Sequence, residues 1–319
     1  MLLGLFLAIL TGLSWVLVGA VVGLAEKREC GSERLMLVGS IFSVTLVGLS
    51  YAVGPLVLSD PEPFHLTGNM RGAAAMFFCG FFNYCMILAM GRAMAIGPNG
   101  PVWTITQSGF VIPALVGVVC GNTPFSWLLA VGILLSLANV IANGMARGGG
   151  SGGAQSQPRK ANWFPLAFLA FLFCGTNQCA NLVVSFIPED RRPMMLERFL
   201  WLYVGVFTGW LLHAAWKRLR EGAPARDPDI RAKYVFLLKI CSVNSLVAFI
   251  ASVFFSYPAQ DILADHDAGA IAFPVMVVSC FLGFAVYSGL VLRERLTTVQ
   301  KIAFAAGIAG IAILFKATS

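Results

Sequence analysis

Charge is what this chain has least of. Asp, Glu, Lys and Arg make up only 12% of its 319 residues, about half the share usual in soluble domains. That scarcity leaves no charged surface large enough to keep a chain of this length in water. Basic residues exceed acidic ones, for a net charge of +7. They are scattered through short connections rather than gathered on one face, which excludes a nucleic-acid footprint. Histidine is also scarce: His65, His213 and His266 stand far apart. With no Cys-x-x-Cys pair among the eight cysteines, no metal centre is expected. The cysteines lie mostly inside apolar runs and read as small packing residues. Walker loops, Gly-rich nucleotide turns and Ser/His/Asp constellations are missing too, so no cofactor and no enzymatic activity are expected. The apolar start at Met1 has no basic region before it and reads as a retained first span.

What the chain has in abundance is apolar length. Hydrophobic residues make up 58% and the mean hydropathy is +0.81. A membrane-spanning helix needs about 20 such residues in a row. Windows of that kind fall at 2–24, 35–58, 72–96, 98–121, 125–145, 163–186, 195–216, 233–257, 268–292 and 298–316. Backbone polar groups must be paired internally in lipid, and the alternation of barrel strands is missing, so all ten are expected to be helices. The fold class is therefore all-α integral membrane, with ten transmembrane helices.

Sixteen of the 22 basic residues fall in or beside the odd-numbered connections and four in the even-numbered ones. The positive-inside rule then puts both termini outside the cytoplasm. The stretch 147–162, "RGGGSGGAQSQPRKAN", is a flexible linker. It separates a first five-helix repeat (1–146) from a second (163–319). An odd number of spans per half forces the second repeat to be inverted relative to the first. Thr11–Val21, "TGLSWVLVGAV", is echoed by Cys174–Val184, "CGTNQCANLVV". The fourth span pairs with the ninth at a constant offset.

The close of the second half, "LVLRERLTTVQKIAFAAGIAGIAILF", resembles the drug/metabolite transporter superfamily (ten-helix, EamA-like members), which ends on a Glu-Arg-Leu-Thr corner and a Gly-rich helix. Arg293 stands where that pattern usually has Gly, and Gly121-Asn122 where the first repeat would have Glu-Arg. "GFFNYCMILAMGRAMAIGPNG" is similar to the L-rhamnose–proton symporter and sugar-uptake branch. The resemblance implies two five-helix repeats and a carrier of small polar metabolites; the expected setting is the inner (plasma) membrane, as monomer or homodimer.

Polar side chains recur near the middle of many spans. Trp15 lies in the first, Asn83 and Tyr84 in the third, Thr106 and Gln107 in the fourth. Asn177, Gln178 and Asn181 lie in the sixth and Asn244 in the eighth. An amide turned to lipid leaves its donors and acceptors unpaired at a cost of several kcal/mol. These residues therefore face inwards, as interhelical glue or as the lining of a substrate cavity. Lys239, six residues into the eighth span, has the same two readings: a snorkelling cation at the membrane surface, or a cavity cation that holds substrate. Pro98-Asn99-Gly100-Pro101 reads as a helix start, facing the cavity or simply turning at the surface.

All fifteen carboxylates fall in connections or at span ends. Glu197 and Arg198 read as interface charges with a structural role. With no carboxylate at mid-membrane, facilitated transport or exchange is expected rather than the proton symport of the rhamnose branch. The sequence thus reads as a secondary transporter of a small polar solute, a sugar or sugar-like one first, working by alternating access. Export of amino acids or other metabolites is the alternative. A lipid-modifying membrane enzyme would need clustered His, Asp or Glu, and a scaffold or sensor would need larger soluble loops.

Overall fold

A computed structural model describes residues 1–57, 66–96, 99–120, 123–150, 163–222, 229–290 and 298–317. Among them there is no strand; helices follow one another from end to end. They are α1 (Leu2–Lys27), α2 (Ser32–Val57), α3 (Met70–Ile96), α4 (Asn99–Gln107), α5 (Val111–Val119) and α6 (Trp127–Gly150). After the linker come α7 (Phe164–Ser185), α8 (Met195–Glu221), α9 (Ile230–Ile250), α10 (Tyr257–Ala264), α11 (Ala272–Leu290) and α12 (Thr298–Ala317). Among the described residues, five helical stretches are long and apolar enough to cross a membrane: Ser32–Leu56, Met70–Ile96, Phe164–Ser185, Met195–Glu221 and Ile230–Ala264. Five shorter apolar helices accompany them. This is an all-α protein built for a membrane, and large side chains such as Leu56, Val119 and Trp127 stand exposed on its outside.

Two of the expected spans are broken, for one physical reason. A proline ring removes an N–H and clashes with the carbonyl four residues earlier. For Pro113 that residue is Gly109, inside a 3₁₀ turn at Ser108–Phe110 that separates α4 from α5. For Pro258 it is Phe254, inside a π-helical turn at Ala251–Ser256 that separates α9 from α10. Each break widens or tightens one turn and lets the helix resume.

α3 starts as a capped helix: the Asn69 carboxamide oxygen accepts from the backbone N–H of Arg71 (3.0 Å) and Gly72 (3.2 Å). It then packs along α8 at backbone distance. A Cβ added to Gly80 would overlap the Leu202 carbonyl, and one added to Gly205 would overlap the Phe77 carbonyl. Small residues at helix crossings are the usual means of close approach in membranes. Gly12 does the same for α1 against Met276 of α11. Further pairs are α3 with α7, α7 with α4 and α5, α2 with α8 and α9, α1 with α10, and α6 with α12. Among the cysteines, Cys30, Cys79, Cys174, Cys241 and Cys280 are buried as thiols, as small packing residues would be.

The start of the Gly-rich linker belongs to α6, which continues to Gly150; 151–162 lie outside the described residues, as do His65, Pro98, Gly121-Asn122 and the Arg293–Arg295 corner. The helix start expected after Pro98 is found at Asn99.

Candidate functional site

Between the helices lies a cavity of about 230 Å³. Seven of the ten residues singled out from the sequence line it: Trp15 from α1, Asn83 from α3, Gln107 from α4, Asn177, Gln178 and Asn181 from α7, and Asn244 from α9. Their convergence follows from helix geometry. Asn177 and Asn181 are four residues apart and share a face, and that face meets α3 across the α3–α7 contact. Asn177 donates towards the Asn83 carboxamide oxygen (3.5 Å), so these two amides tie α7 to α3.

The other amides are only partly matched: the Gln178 amide nitrogen donates to Cys174 Sγ (3.4 Å). The carbonyl oxygens of Gln178, Asn181 and Asn244 are buried and accept no hydrogen bond from the described residues. A buried acceptor left unpaired costs about 1–3 kcal/mol. All three acceptors belong to side chains that line this one cavity. Aromatic rings supply the flat apolar surfaces: Trp15 and Trp103, with Tyr203, Tyr257 and Phe273. No Asp, Glu, Lys, Arg or His is among the described lining residues.

Three of the expected site residues lie elsewhere. Tyr84 is buried but turned towards α8, where its hydroxyl is 2.6 Å from His213 Nδ1. Arg92 can only donate, and its guanidinium sits 3.2 Å from His213 Nε2. The neutral imidazole therefore keeps its proton on Nδ1 and donates to the Tyr84 oxygen. Thr106 is fully buried, and its hydroxyl donates to the Val102 carbonyl one turn back (2.9 Å). Lys239 is exposed beside Asp229 and Arg231 in a shallow surface hollow, the snorkelling position rather than the cavity.

Trp103, Tyr203 and Tyr257 line the cavity without having been singled out. Trp103 was within reach of the sequence, since it stands four residues before Gln107 on the same helix face. Tyr203 and Tyr257 carry no such signal.

The charges near the ends are more deeply placed than their positions in sequence imply. Arg198 is fully buried, and its guanidinium donates two parallel bonds to Asp261 (2.9 and 2.8 Å). Glu197, 2% exposed, accepts from the backbone N–H (2.9 Å) and hydroxyl (2.7 Å) of Thr67. Arg192 donates to Asp265 (2.7 Å) and to the carbonyls of Ser185 and Ile187. Burial works against its charge, but the bond to Asp265 and the charges of Asp261, Asp265 and Glu189 outweigh it and raise its pKa above the ordinary value. Asp261, expected in a connection, lies inside α10, and Glu197 stands at the start of α8 as expected; both are buried. A guanidinium or a threonine from another segment satisfies each one.

No protein-family model matches the chain, and no curated protein matches it in sequence. Solved structures do match in shape. One crystal structure of a protein, 15% identical, superposes with a TM-score of 0.57 over 96% of this chain and 95% of its own. That likeness extends over nearly the whole of both chains, and what it carries is the fold.

Proposed function

We propose that this protein is a secondary transporter of the inner membrane that moves a small, uncharged polar solute, a sugar or sugar-like molecule, by alternating access. The observation that carries this reading is the cavity: among the described residues it has amide oxygens without partners, aromatic faces, and no ionised side chain. Hydroxyls of a sugar ring supply the donors that Gln178, Asn181 and Asn244 lack, and its apolar face suits an indole. An anionic or cationic solute would enter the same space without a counter-charge, which is costly at low dielectric.

The packing supports two inverted five-helix repeats, with α4–α5 and α9–α10 each forming one broken span of ten. Under that equivalence α1 corresponds to α7, α2 to α8, α3 to α9–α10, α4–α5 to α11, and α6 to α12. α1 rests on α11 as α7 rests on α4 and α5; α3 meets α8 as α9 meets α2. α2 with α8 and α6 with α12 are self-equivalent pairs. Broken helices at a central site are a recurrent transporter feature. The distribution of Lys and Arg supports termini outside the cytoplasm, and the uncharged lining supports facilitated transport or exchange.

The test is flux in proteoliposomes with a panel of neutral sugars, polyols, nucleosides, amino acids and sugar phosphates, in both directions. The expected result is flux of a neutral hydroxylated solute, lost in Asn181→Leu with the protein still folded. Selective flux of charged solutes, or wild-type flux in that variant, would sink the reading.

A further inference from the structure

The cavity ends differently at its two ends. Towards the end that carries Lys217 and Glu33, its lining reaches Leu35 and Met36, about one turn from the start of α2. Towards the end that carries Arg192, it stops at Ser256 and Tyr257. Directly beyond Tyr257 lies the buried ion-pair layer. The Arg198 guanidinium carbon stands 5.7 Å from the Tyr257 ring centre, and Asp261 is one helical turn further along α10. Arg192 approaches the same carboxylate (3.7 Å) while holding Asp265. The layer therefore joins the end of α7, the start of α8 and the whole of α10.

Stability alone does not account for such a layer. Buried ion pairs are often no more stabilising than the apolar side chains that could replace them. What distinguishes them is that both partners are well solvated when separated by water, whereas a sealed apolar plug is not. Beneath the layer, the π-helical turn at 251–256 and Pro258 deprive α10 of a regular hydrogen-bond ladder to α9. α10 can thus tilt as a short unit.

We propose that Arg198–Asp261, backed by Arg192–Asp265, is a gate that closes the Arg192 end of the cavity, with Tyr257 as its inner leaf and the π-helical turn as its hinge. This rests on the carrier reading, but accessibility tests it without reference to flux. Opening requires the two forks to part and α10 to swing away from α8. The structure is then the form open towards the Lys217 end.

The experiment places a cysteine at Ser252, a half-buried lining residue, and labels it with a membrane-impermeant maleimide, applied to intact cells or to inverted vesicles. With the eight native cysteines replaced by alanine, labelling is expected from the Lys217 side and nearly none from the Arg192 side. Asp261→Asn should raise Arg192-side labelling about tenfold, as an open form of a few per cent grows towards half the population. The charge-swapped pair Arg198→Asp with Asp261→Arg should restore protection. Arg192→Gln, which leaves the buried fork intact, gives a smaller rise and serves if Asp261→Asn does not accumulate. Equal labelling from both sides in this cysteine-substituted background, with the ion pairs intact, would overturn the closed gate. Unchanged labelling in correctly folded Asp261→Asn, or in Arg192→Gln when that variant stands in for it, would reduce the layer to structural glue.

Discussion

Replacing Gly80 by alanine should weaken the protein by about 2–4 kcal/mol, and the estimate can be built from the α3–α8 seam. The new methyl would fall on the Leu202 carbonyl, whereas a carbon and an oxygen sit comfortably at about 3.3–3.6 Å. The helices must part by roughly 1 Å or more. A gap of that size forfeits a quarter to a half of each dispersion contact, at about 0.1–0.2 kcal/mol per atom pair. Over some tens of pairs along the seam this comes to about 1–3 kcal/mol. The Tyr84–His213 bond, 2.6 Å long and on the same seam, would stretch beyond hydrogen-bonding range, costing about 1 kcal/mol more. Gly205→Ala meets the mirror contact at Phe77 and should cost as much. The double variant should cost less than both together, because the first methyl already opens the seam. Gly48 is the control: nothing lies within 4 Å of a Cβ added there, so Gly48→Ala should stay within about 0.5 kcal/mol. The assay is reversible unfolding in mixed detergent micelles, followed by tryptophan fluorescence. If Gly80→Ala unfolds with the same midpoint as Gly48→Ala, the close approach of these backbones is wrong.

Other outcomes follow from the same structure. Lys239→Met should leave flux within about twofold, since the side chain is exposed on the outside; a collapse of flux would return Lys239 to the site. Thr106→Val should be close to neutral for flux, because its hydroxyl serves only the Val102 carbonyl. Tyr84→Phe should cost about 1 kcal/mol of stability while substrate affinity, measured by tryptophan quenching, stays unchanged. Under an imposed pH gradient, solute should equilibrate across vesicles without accumulating; accumulation that a protonophore abolishes would show proton coupling. A carboxyl-terminal reporter active only in the cytoplasm should stay silent, and a bright signal would reverse the orientation.

Much of the helical order was readable because a bilayer fixes the length of an apolar run: the windows fall on helical residues, although 98–121 and 233–257 are each interrupted. The cavity amides were readable for a related reason: Asn and Gln at mid-span have few alternatives to an inward face. Rotation about the helix axis was not readable. Tyr84 and Asn83 are neighbours in sequence but point to α8 and to the cavity respectively, and only the packing of α3 between α7 and α8 decides this. Prolines 113 and 258 were visible, but whether each would kink, tighten or widen its helix depends on the carbonyl it meets. The Arg198–Asp261 fork joins residues 63 apart. Each looked like an ordinary end charge until the fold supplied its partner.

The uncharged lining also has an electrical consequence. Moving one elementary charge across the membrane potential is worth about 2.3 kcal/mol per 100 mV. Among the described residues the cavity is lined by no side chain of Asp, Glu, Lys, Arg or His, and the ion-pair layer balances two guanidinium groups against two carboxylates. A rearrangement that exposes these groups to one face or the other moves little net charge through the field. If the protein is the carrier proposed above, the resting potential neither drives nor brakes its cycle with a neutral solute, and the concentration ratio alone sets the direction.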